Sequence, residues 1–288
     1  MANKVCLITG GNFGIGKAAA IKFLLNGDSV IITSRSVERG ENAIVEIKEK
    51  SNKNDIQLLL LDLSLQSSIK NFVEKIKNYN IKIDVLINNA AEFDVSKTKP
   101  EITSENIEKI WATNFLGPKY LIELFIVNSL LNNNSKVINI SSKGLLLKPF
   151  LKLNITDPEF RVKGFSVSKS YYHSKKALEI YTAYLSEKSK YSAINFSVIR
   201  VTNVKIDINR YPHISKFFKF LYLFKSKFSI LPDKMAETYL FVSNLKSSTA
   251  TNGLVFYNNN KFENLSKLYF NSDFENLKQI VNRYPFLY

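Results

Sequence analysis

The chain has 288 residues, one cysteine, two histidines and a formal net charge of +15 at neutral pH. This length suits one α/β domain with a sizeable core; a single cysteine excludes an internal disulfide, and so few histidines and cysteines lead us to expect no bound metal. The lysines are spread along the chain, which argues against nucleic acid as a partner, and no uncharged apolar run approaches the roughly 18–20 residues of a membrane-spanning helix.

Apolar runs that predict strands alternate along the chain with segments of helical periodicity. The predicted strands cover residues 5–8, 29–33, 57–61, 84–87, 136–140, 194–199 and 254–257. The predicted helices cover residues 15–26, 37–51, 66–78, 103–131, 166–190, 233–246 and 273–283, and Asn-rich stretches at 132–135 and 258–264 predict surface turns. This alternation is typical of βαβ units. We therefore expect one α/β domain over residues 1–288, a Rossmann-type, doubly wound parallel sheet of about seven strands with helices on both faces.

A glycine-rich stretch follows the first predicted strand. Residues 9–16 are Thr-Gly-Gly-Asn-Phe-Gly-Ile-Gly, and a helical pattern begins directly after them. Backbone N–H groups and the dipole at a helix N-terminus attract a phosphate, and glycine allows its close approach. The glycines do not follow the usual G-x-G-x-x-G spacing of dinucleotide folds. The stretch predicts a phosphate site, with a turn that needs glycine only for its dihedral angles as the alternative.

Tyr171 and Lys175 stand four residues apart within a predicted helix, so they share one face. A cation beside a phenol favours the phenolate and lowers the tyrosine pKa, so we expect the pair to move protons near neutral pH. Tyr172 and Lys176 have the same spacing, and this pattern also arises by chance in lysine-rich helices. The spacing alone therefore leaves both pairs, and a purely structural helix, open.

Several motifs together resemble the short-chain dehydrogenase/reductase family. The motifs are the glycine-rich stretch, Asn88-Asn89-Ala90, the Ser141-Ser142 pair and Tyr171-x-x-Ser174-Lys175. The chain is similar, more narrowly, to the retinol dehydrogenase-like branch at Ser34-Arg35, Asp62-Leu63, Asn114-Phe-Leu-Gly117, Leu153-Asn154 and residues 232–238. The resemblance covers about residues 3–284. It implies an NAD(P)-dependent enzyme that interconverts a carbonyl and an alcohol.

The resemblance implies a role for four side chains. Tyr171 is expected to act as general acid and base, with Lys175 tuning it and holding the nicotinamide ribose. Ser142 is expected to donate a hydrogen bond to the developing alkoxide, and Asn114 matches a proton-relay asparagine. The family pattern selects these residues over the neighbouring Tyr172 and the first serine of the pair. The residues that the resemblance implies for the cofactor are Gly10, Asn12, Gly14, Ile15, Gly16, Arg35, Asp62, Leu63, Asn89, Ala90, Tyr171, Lys175 and Val204.

The residue after the second predicted strand distinguishes two cofactors. Arg35 stands where an acid would accept a hydrogen bond from the 2′-hydroxyl of NAD, whereas a guanidinium suits the 2′-phosphate of NADP. Lys17, at the start of the first helix, adds positive charge nearby. We therefore expect NADP(H) to be preferred, with NAD(H) as the alternative cofactor and a merely solvated Arg35 as the other interpretation. Asp62 has an alternative role as the cap of the following helix.

The chain departs from the family pattern after the sixth predicted strand. Arg200-Val201-Thr202 stands in place of His-Pro-Gly, and Ile206 in place of a threonine, in a loop expected to pack against the nicotinamide. The alternative to an active enzyme is therefore a pseudoenzyme that acts as a cofactor-binding scaffold or sensor. An isomerase or dehydratase on the same fold is a third interpretation.

The stretches expected around the substrate are apolar. Residues 145–151 and 217–224 are rich in leucine and phenylalanine, which favours a lipophilic carbonyl or alcohol such as a retinoid, a steroid or a lipid aldehyde. Residues 205–232 are expected to form a lid over this substrate. The lysines among large apolar side chains at 214–231 suit peripheral contact with an anionic membrane. We expect a cytoplasmic protein, with attachment to an intracellular membrane and a homodimer as open alternatives.

Overall fold

The structure, a computed structural model, describes residues 3–205, 229–248, 251–259 and 261–286. These residues form one sheet of eight strands in the order β3-β2-β1-β4-β5-β6-β7-β8. The strands are β1 (Val5–Ile8), β2 (Ser29–Ser34), β3 (Ile56–Leu60), β4 (Ile83–Asn88), β5 (Leu131–Ser142), β6 (Ile194–Val201), β7 (Leu254–Asn258) and β8 (Lys261–Asn264). The first seven pair in parallel, and β8 pairs antiparallel with β7. The predicted doubly wound parallel sheet is confirmed, with an added antiparallel edge strand.

The helices that connect the strands lie on both faces of this sheet. They are α1 (Gly14–Leu25), α2 (Val37–Ser51), α3 (Gln66–Asn78), α4 (Lys109–Trp111), α5 (Gly117–Val127), α6 (Val167–Ser186), α7 (Pro232–Asn244) and α8 (Asn271–Val281). One hydrophobic core packs α3, α5, α6 and α8 against the sheet, and a second packs α1, α2 and α7 against the other face. Among the described residues, no helix combines the length and the apolar character needed to cross a membrane.

Side-chain caps explain where two of the helices begin. Ser36 caps α2, because its Oγ accepts a hydrogen bond from the backbone N–H of Arg39 at 3.3 Å. Ser166 caps α6 in the same way, accepting from the backbone N–H of Lys169 at 3.2 Å. Such caps typically stabilise a helix by about 1 kcal/mol. Since Tyr171 lies in the second turn of α6, this cap helps to fix the position of the tyrosine.

The segment predicted as one helix over 103–131 is broken in the structure. A turn comes first, and Glu108 then caps α4 by accepting hydrogen bonds from the backbone N–H groups of Ile110 at 3.0 Å and Trp111 at 2.8 Å. A π-helical turn, Ala112–Leu116, joins α4 to α5. The prediction missed both features because a capping carboxylate and a π turn leave the apolar periodicity of a helix almost unchanged.

The first Asn-rich stretch belongs to a strand rather than to a surface turn, and the second contains both a strand and the turn that precedes it. β5 begins at Leu131, which pairs with Ile83, and Asn132 donates from Nδ2 to the carboxylate of Asp84 at 2.7 Å. The second stretch contains β8, which is exposed along its length. Backbone pairing rather than burial specifies these polar segments, so they lack the apolar alternation from which a strand is predicted.

The strand order reverses between β1 and β4, and a crevice opens beyond the carboxyl ends of the strands at such a point. The two strand ends are joined directly, since the Thr9 backbone N–H donates to the Ile87 carbonyl oxygen at 3.0 Å. Asn89 Nδ2 in turn donates to the Thr9 carbonyl oxygen at 2.9 Å. The fold therefore brings the turn after β1 and the segment after β4 to one place.

Candidate active site

The glycine-rich turn between β1 and α1 holds its backbone close to the crevice. Gly10 and Gly14 have φ values of 62° and 55°, in the left-handed region that glycine adopts most readily. At Gly16 a side chain is excluded for a different reason, because a Cβ would lie 2.6 Å from Asn89 Nδ2 and 2.7 Å from the Gly10 carbonyl oxygen. The first turn of α1 carries no acidic residue, so its dipole presents positive potential to the crevice. The turn can therefore hold a phosphate.

A crevice of about 790 Å³ opens in front of this turn. The predicted cofactor residues that line it are Gly10, Asn12, Gly14, Ile15, Arg35, Leu63, Asn89, Ala90 and Val204. The cations Lys17, Lys50 and Lys205 also line it. A dinucleotide cofactor is anionic and of a size that such a crevice can hold, and the positive lining favours it.

Two predicted cofactor residues support the turns beside the crevice. Gly16 packs against the Asn89 side chain, as described above. Asp62 accepts hydrogen bonds from the Ser64 backbone N–H at 2.9 Å and from the Ser64 hydroxyl at 2.7 Å. Asp62 thus stabilises the turn before α3, a role close to the capping alternative, although the N-cap of α3 is Leu65.

Arg35 lies just beyond the end of β2 and is paired with an acid that the sequence analysis did not single out. Its Nη1 lies 3.3 Å from Glu92 Oε2. The Arg35 side chain is 47% exposed and that of Glu92 is 17% exposed, so the pair borders solvent at the crevice. Glu92 here supplies the negative charge that a 2′-phosphate would supply to the same guanidinium.

Asn114 lies in the π-helical turn between α4 and α5. Its Oδ1 accepts from the Glu92 backbone N–H at 2.7 Å, and its Nδ2 donates to the Glu92 carbonyl oxygen at 3.0 Å and to Ser174 Oγ at 3.3 Å. π turns are frequent at functional sites because the extra residue redirects side chains. Asn114 consequently ties the segment after β4 to the helix that carries Tyr171.

Tyr171 lies on α6 beside Ser142, the last residue of β5, and its ring packs on Phe93 with 4.5 Å between the ring centroids. Burial raises the pKa of Tyr171, its neighbour Tyr172 raises it further, and a hydrogen bond with Ser142 lowers it. The expectation that Lys175 lowers this pKa is wrong for this structure. The ammonium lies 5.8 Å from the ring centroid, and desolvation of the phenolate outweighs its attraction. Tyr171 is therefore a protonated phenol at neutral pH.

Lys175 is almost completely buried, with 1% of its surface exposed. Its Nζ donates to the Ile140 carbonyl oxygen at 2.7 Å. Burial lowers the pKa of Lys175 to about 8, and the charge of Glu179 partly opposes this. An ammonium has three donors, so this lysine can bind a ligand hydroxyl while it remains attached to β5.

The lysine of the alternative Tyr-x-x-x-Lys pair is engaged elsewhere. Lys176 Nζ donates to the Leu151 carbonyl oxygen at 2.6 Å and lies 3.5 Å from Asp273 Oδ1 on α8. Lys175 instead points to the end of β5, where Tyr171 also lies. The structure thus brings Tyr171 and Lys175 together with the end of β5, as the family pattern predicts.

Arg200 does not lie in a loop after β6, as expected, but within the strand. β6 continues to Val201 because it pairs with the end of β5, where Ser141 is opposite Arg200. The guanidinium is 5% exposed and donates to both carboxylate oxygens of Glu179, at 2.8 and 2.6 Å. Arg200 therefore contributes to a buried ion pair, which the sequence analysis did not predict.

The predicted lid and the predicted membrane-contacting stretch fall largely on residues 206–228, which lie outside the described residues, as does Ile206. Val204 is described, lines the crevice and forms a bridge with Ile230. The crevice is thus bounded on this side by the chain that enters and leaves the predicted lid.

Two acidic residues of the site, Glu92 and Glu179, were not singled out from the sequence. A signal for Glu179 was present, since it follows Lys175 by four residues and Tyr171 by eight and so shares their helix face. Glu92 offered no comparable signal, because its pairing with Arg35 depends on how the segments after β2 and β4 meet across the end of β1.

Comparison with known proteins identifies relatives of this chain. Residues 4–150 match the family model of the short chain dehydrogenases. Dehydrogenase/reductase SDR family member 12 of Bos taurus is 36% identical over 176 residues, which make up 61% of this chain and 53% of that protein. Retinol dehydrogenase 13 of Mus musculus is 27% identical over 220 residues, 76% of this chain and 64% of that protein. The chain thus spans between about half and two thirds of the length of these relatives.

Solved structures share the fold. A short chain dehydrogenase from Salmonella enterica has a TM-score of 0.63 and 17% identity, over 90% of this chain and 96% of that one. A blue fluorescent protein from a metagenomic library, solved in complex with NADPH, has a TM-score of 0.62 and 20% identity, over 88% and 95%. The family match, the relatives and the fold together confirm the prediction made from the motifs. The chain belongs to the short-chain dehydrogenase/reductase family.

Proposed function

We propose that this protein uses NADP(H) to interconvert a carbonyl and an alcohol on a small lipophilic substrate. The observation that carries this proposal is the meeting of the Tyr171 phenol, the Ser142 hydroxyl and the Lys175 ammonium at the end of β5. A general acid, a donor to the developing oxyanion and a fixed cation are the groups that carbonyl reduction requires. Asn114, next to Thr113 in the crevice lining, links these groups to the cofactor crevice.

The residues around the crevice fit a dinucleotide with a 2′-phosphate. Gly16 packs so closely against Asn89 and the Gly10 carbonyl oxygen that no Cβ fits there. The N-terminus of α1, which follows this turn, suits the pyrophosphate. Arg35, with Lys17 and Lys50 in the same lining, suits the 2′-phosphate. When bound, the cofactor supplies or accepts the hydride, and this chain binds and orients it.

Tyr171 supplies the proton in the reductive direction. Because burial keeps its pKa above the ordinary value, the phenol is protonated at neutral pH and can donate to the substrate oxygen. Ser142 Oγ accepts from the Gly144 backbone N–H at 3.2 Å, and its own O–H, which is hydrogen-bonded to Tyr171 in this structure, would donate to the same oxygen once substrate is bound. The Lys175 ammonium stabilises the phenolate that remains, and Asn114 is the proposed relay to solvent.

An apolar contact of Tyr171 and exposed apolar side chains in the segment after Ser142 support a lipophilic substrate. Phe93 packs on the Tyr171 ring, and the segment after Ser142 exposes Leu147 to 86% and Phe150 to 91%. Apolar surface of this kind favours a substrate with an apolar body and one carbonyl group, as in a retinoid, a steroid or a lipid aldehyde.

The test is a thermal-shift titration with NADPH, NADH, NADP and NAD, followed by turnover on matched lipophilic and polar carbonyls. A ligand that binds only the native state stabilises it by about 2.7 kcal/mol at a hundredfold excess over Kd. We expect a larger shift with NADPH than with NADH, and reduction of the lipophilic carbonyls. Equal shifts would refute the NADP(H) preference, and binding without turnover on any carbonyl would favour the scaffold alternative.

The proposal also covers location and partners. A net charge of +15 favours contact with an anionic membrane surface, so we propose a cytoplasmic protein with peripheral membrane attachment. Co-sedimentation with anionic and not with neutral vesicles at low salt tests this, and light scattering tests whether the protein forms a homodimer.

A further inference from the structure

A buried ion pair lies one helical turn beyond Lys175. Glu179, four residues further along α6, is fully buried, and Arg200 on β6 is 5% exposed. Arg200 donates from Nε to Glu179 Oε1 at 2.8 Å and from Nη2 to Glu179 Oε2 at 2.6 Å. Two parallel N–H···O bonds of this kind are strong and fix the geometry of both groups.

Three side chains near the sheet edge complete the network. Arg200 Nη1 donates to Tyr257 Oη at 3.0 Å, and Tyr257 Oη donates to Glu263 Oε2 at 2.8 Å. Tyr269 Oη donates to Glu179 Oε2 at 2.5 Å. Burying two charges carries a large desolvation cost, and apolar replacements of a buried pair are often equally stable. Stability alone is therefore a weak explanation for this network.

The network acts on Lys175 through Glu179. The two side chains share one face of α6, and the carboxylate raises the pKa of Lys175, against the lowering by burial. Even so, the Lys175 ammonium donates to the Ile140 carbonyl oxygen at 2.7 Å, while the oxygens of Glu179 accept from Arg200 and Tyr269. Because Arg200 donates to both oxygens of Glu179, this carboxylate attracts the Lys175 ammonium less strongly than it would without Arg200.

We propose that Arg200 and Glu179 are positioning residues, which set how much negative charge reaches Lys175 and so keep its ammonium on the Ile140 carbonyl beside Tyr171. The inference rests on the proposed function, in which Lys175 holds the cofactor and supports Tyr171. In the described part of the chain, the titratable or charged groups around this face of α6 and its network include Tyr171, Tyr172, Lys176, Glu179, Arg200, Tyr239, Tyr257, Lys261, Glu263 and Tyr269.

Removing one charge of the pair should move the pKa of Lys175 in a direction that depends on which charge is removed. Glu179→Gln leaves Arg200 as an uncompensated cation near Lys175 and lowers that pKa. Arg200→Gln leaves Glu179 free to attract the ammonium and raises it. We expect each change to amount to about 1 pH unit or more. The double variant removes both charges and should titrate near the native value, as should Arg200→Lys.

The experiment is an NMR pH titration of protein labelled with ¹³C at lysine Cε, with the Lys175 resonance assigned through Lys175→Arg. Circular dichroism verifies the fold of each variant. The titration needs no cofactor, substrate or turnover, so an incorrect proposed function leaves its result interpretable. In an active enzyme, the alkaline limit of NADPH-dependent turnover should move with the Lys175 pKa in each variant.

Opposite shifts in the two single variants support the proposal, because a merely structural disturbance would move Lys175 in the same direction in both. An unchanged Lys175 titration, or shifts of the same sign, overturns it. If Arg200→Gln does not fold, Glu179→Gln is compared with the double variant. Lys175 must then titrate at a lower pH in the single variant than in the double one, and equal values overturn the proposal.

Discussion

At the residue scale, burial changes the protonation of the two central side chains in opposite senses. It raises the pKa of Tyr171 and lowers that of Lys175 to about 8, because a low-dielectric site disfavours the charged form of either group. The phenol consequently keeps its proton at neutral pH, and the ammonium loses its proton more readily than in water. A protonated phenol next to Ser142 is what carbonyl reduction needs, so these shifts support the proposed direction of proton transfer.

Replacing Tyr171 tests the proposed general acid. Tyr171→Phe removes the proton donor with little change in volume, so we expect turnover to fall by about 10²–10⁴-fold while NADPH affinity stays near the native value. Turnover and fluorescence titration of NADPH measure the two effects. Tyr172→Phe is the matched control and should remain active. Loss of activity in Tyr172→Phe with an active Tyr171→Phe would show that the wrong tyrosine has been assigned.

The pair of Arg35 and Glu92 determines the cofactor preference in the proposed function. Arg35→Asp should weaken NADPH binding by about 1.5–3 kcal/mol, the usual value of a hydrogen bond to a charged group, and NADH binding much less. Glu92→Gln should tighten NADPH binding, since the 2′-phosphate would no longer compete with a carboxylate 3.3 Å from the guanidinium. Affinities for both cofactors measure this. Equal effects on NADPH and NADH would contradict a 2′-phosphate contact.

At the scale of elements, a small number of hydrogen bonds between backbone segments holds the site together. Asn114 in the π turn binds both backbone groups of Glu92 and the side chain of Ser174 on α6. Lys175 joins α6 to β5 through the Ile140 carbonyl. These hydrogen bonds join the π turn, α6 and β5, and so fix the relative positions of the proposed catalytic groups.

The glycine-rich turn offers a test at this scale. In Gly16→Ala the new Cβ would lie 2.6 Å from Asn89 Nδ2 and 2.7 Å from a backbone oxygen, so the turn must shift, at a cost of about 1–3 kcal/mol. We expect a lower melting temperature together with weaker cofactor binding. Gly27→Ala is the control. Unlike Gly16, Gly27 has a positive φ, of 91°, so an alanine strains the backbone there, but its Cβ would come within 4 Å only of Asn3, at 3.7 Å. The control should lose stability and keep its affinity; equal affinities in both variants would refute the role of Gly16.

At the scale of the whole molecule, titratable groups buried beneath α6 make stability depend on pH. Burial raises the pKa of Glu108 to about 7, against hydrogen bonds from the backbone of Ile110 and Trp111 and from Ser170, which lower it. Burial lowers the pKa of His173 to about 4. Its Nε2 accepts from the Asn154 backbone N–H at 2.8 Å, which requires that this nitrogen carry no proton. The raised pKa of Glu108 therefore favours folding at low pH, and the lowered pKa of His173 favours folding nearer neutral pH.

The sign for Glu108 follows from linkage. Its pKa is higher in the folded state than the ordinary 4.5, so its stabilising contribution is full below about pH 4.5 and is lost as the pH rises through about 7. Relative to Glu108→Gln, native stability should fall by about 3 kcal/mol over this interval. Urea unfolding at several pH values measures it. Relative to His173→Gln, native stability should instead fall as the pH is lowered. The contribution of His173 is full above pH 6.5 and is lost as the pH falls toward 4. A constant difference between native and Glu108→Gln would contradict the raised pKa.

The local motifs were predictable because each depends on spacing along the chain. The glycine-rich turn follows from its position between a strand and a helix. The helical repeat left Tyr171–Lys175 and Tyr172–Lys176 open, and the family pattern selected the first pair. Alternating apolar runs likewise indicated the parallel sheet before any contact was known. The spacing of apolar residues could not predict polar strands such as β8. Such a strand forms because its backbone pairs with a neighbouring strand, and its side chains need not be apolar.

Tertiary structure alone decided which charges meet and how far they are buried. Arg35 pairs with Glu92 because the segments that follow β2 and β4 meet across the end of β1, and Arg200 pairs with Glu179 because β6 extends alongside β5 beneath α6. The pKa of Tyr171 was predicted in the wrong direction because spacing places a cation nearby but cannot measure desolvation. Sequence thus determined the family, the fold and the candidate side chains, whereas packing determined their electrostatic state, since interaction energies depend on distance and burial in three dimensions.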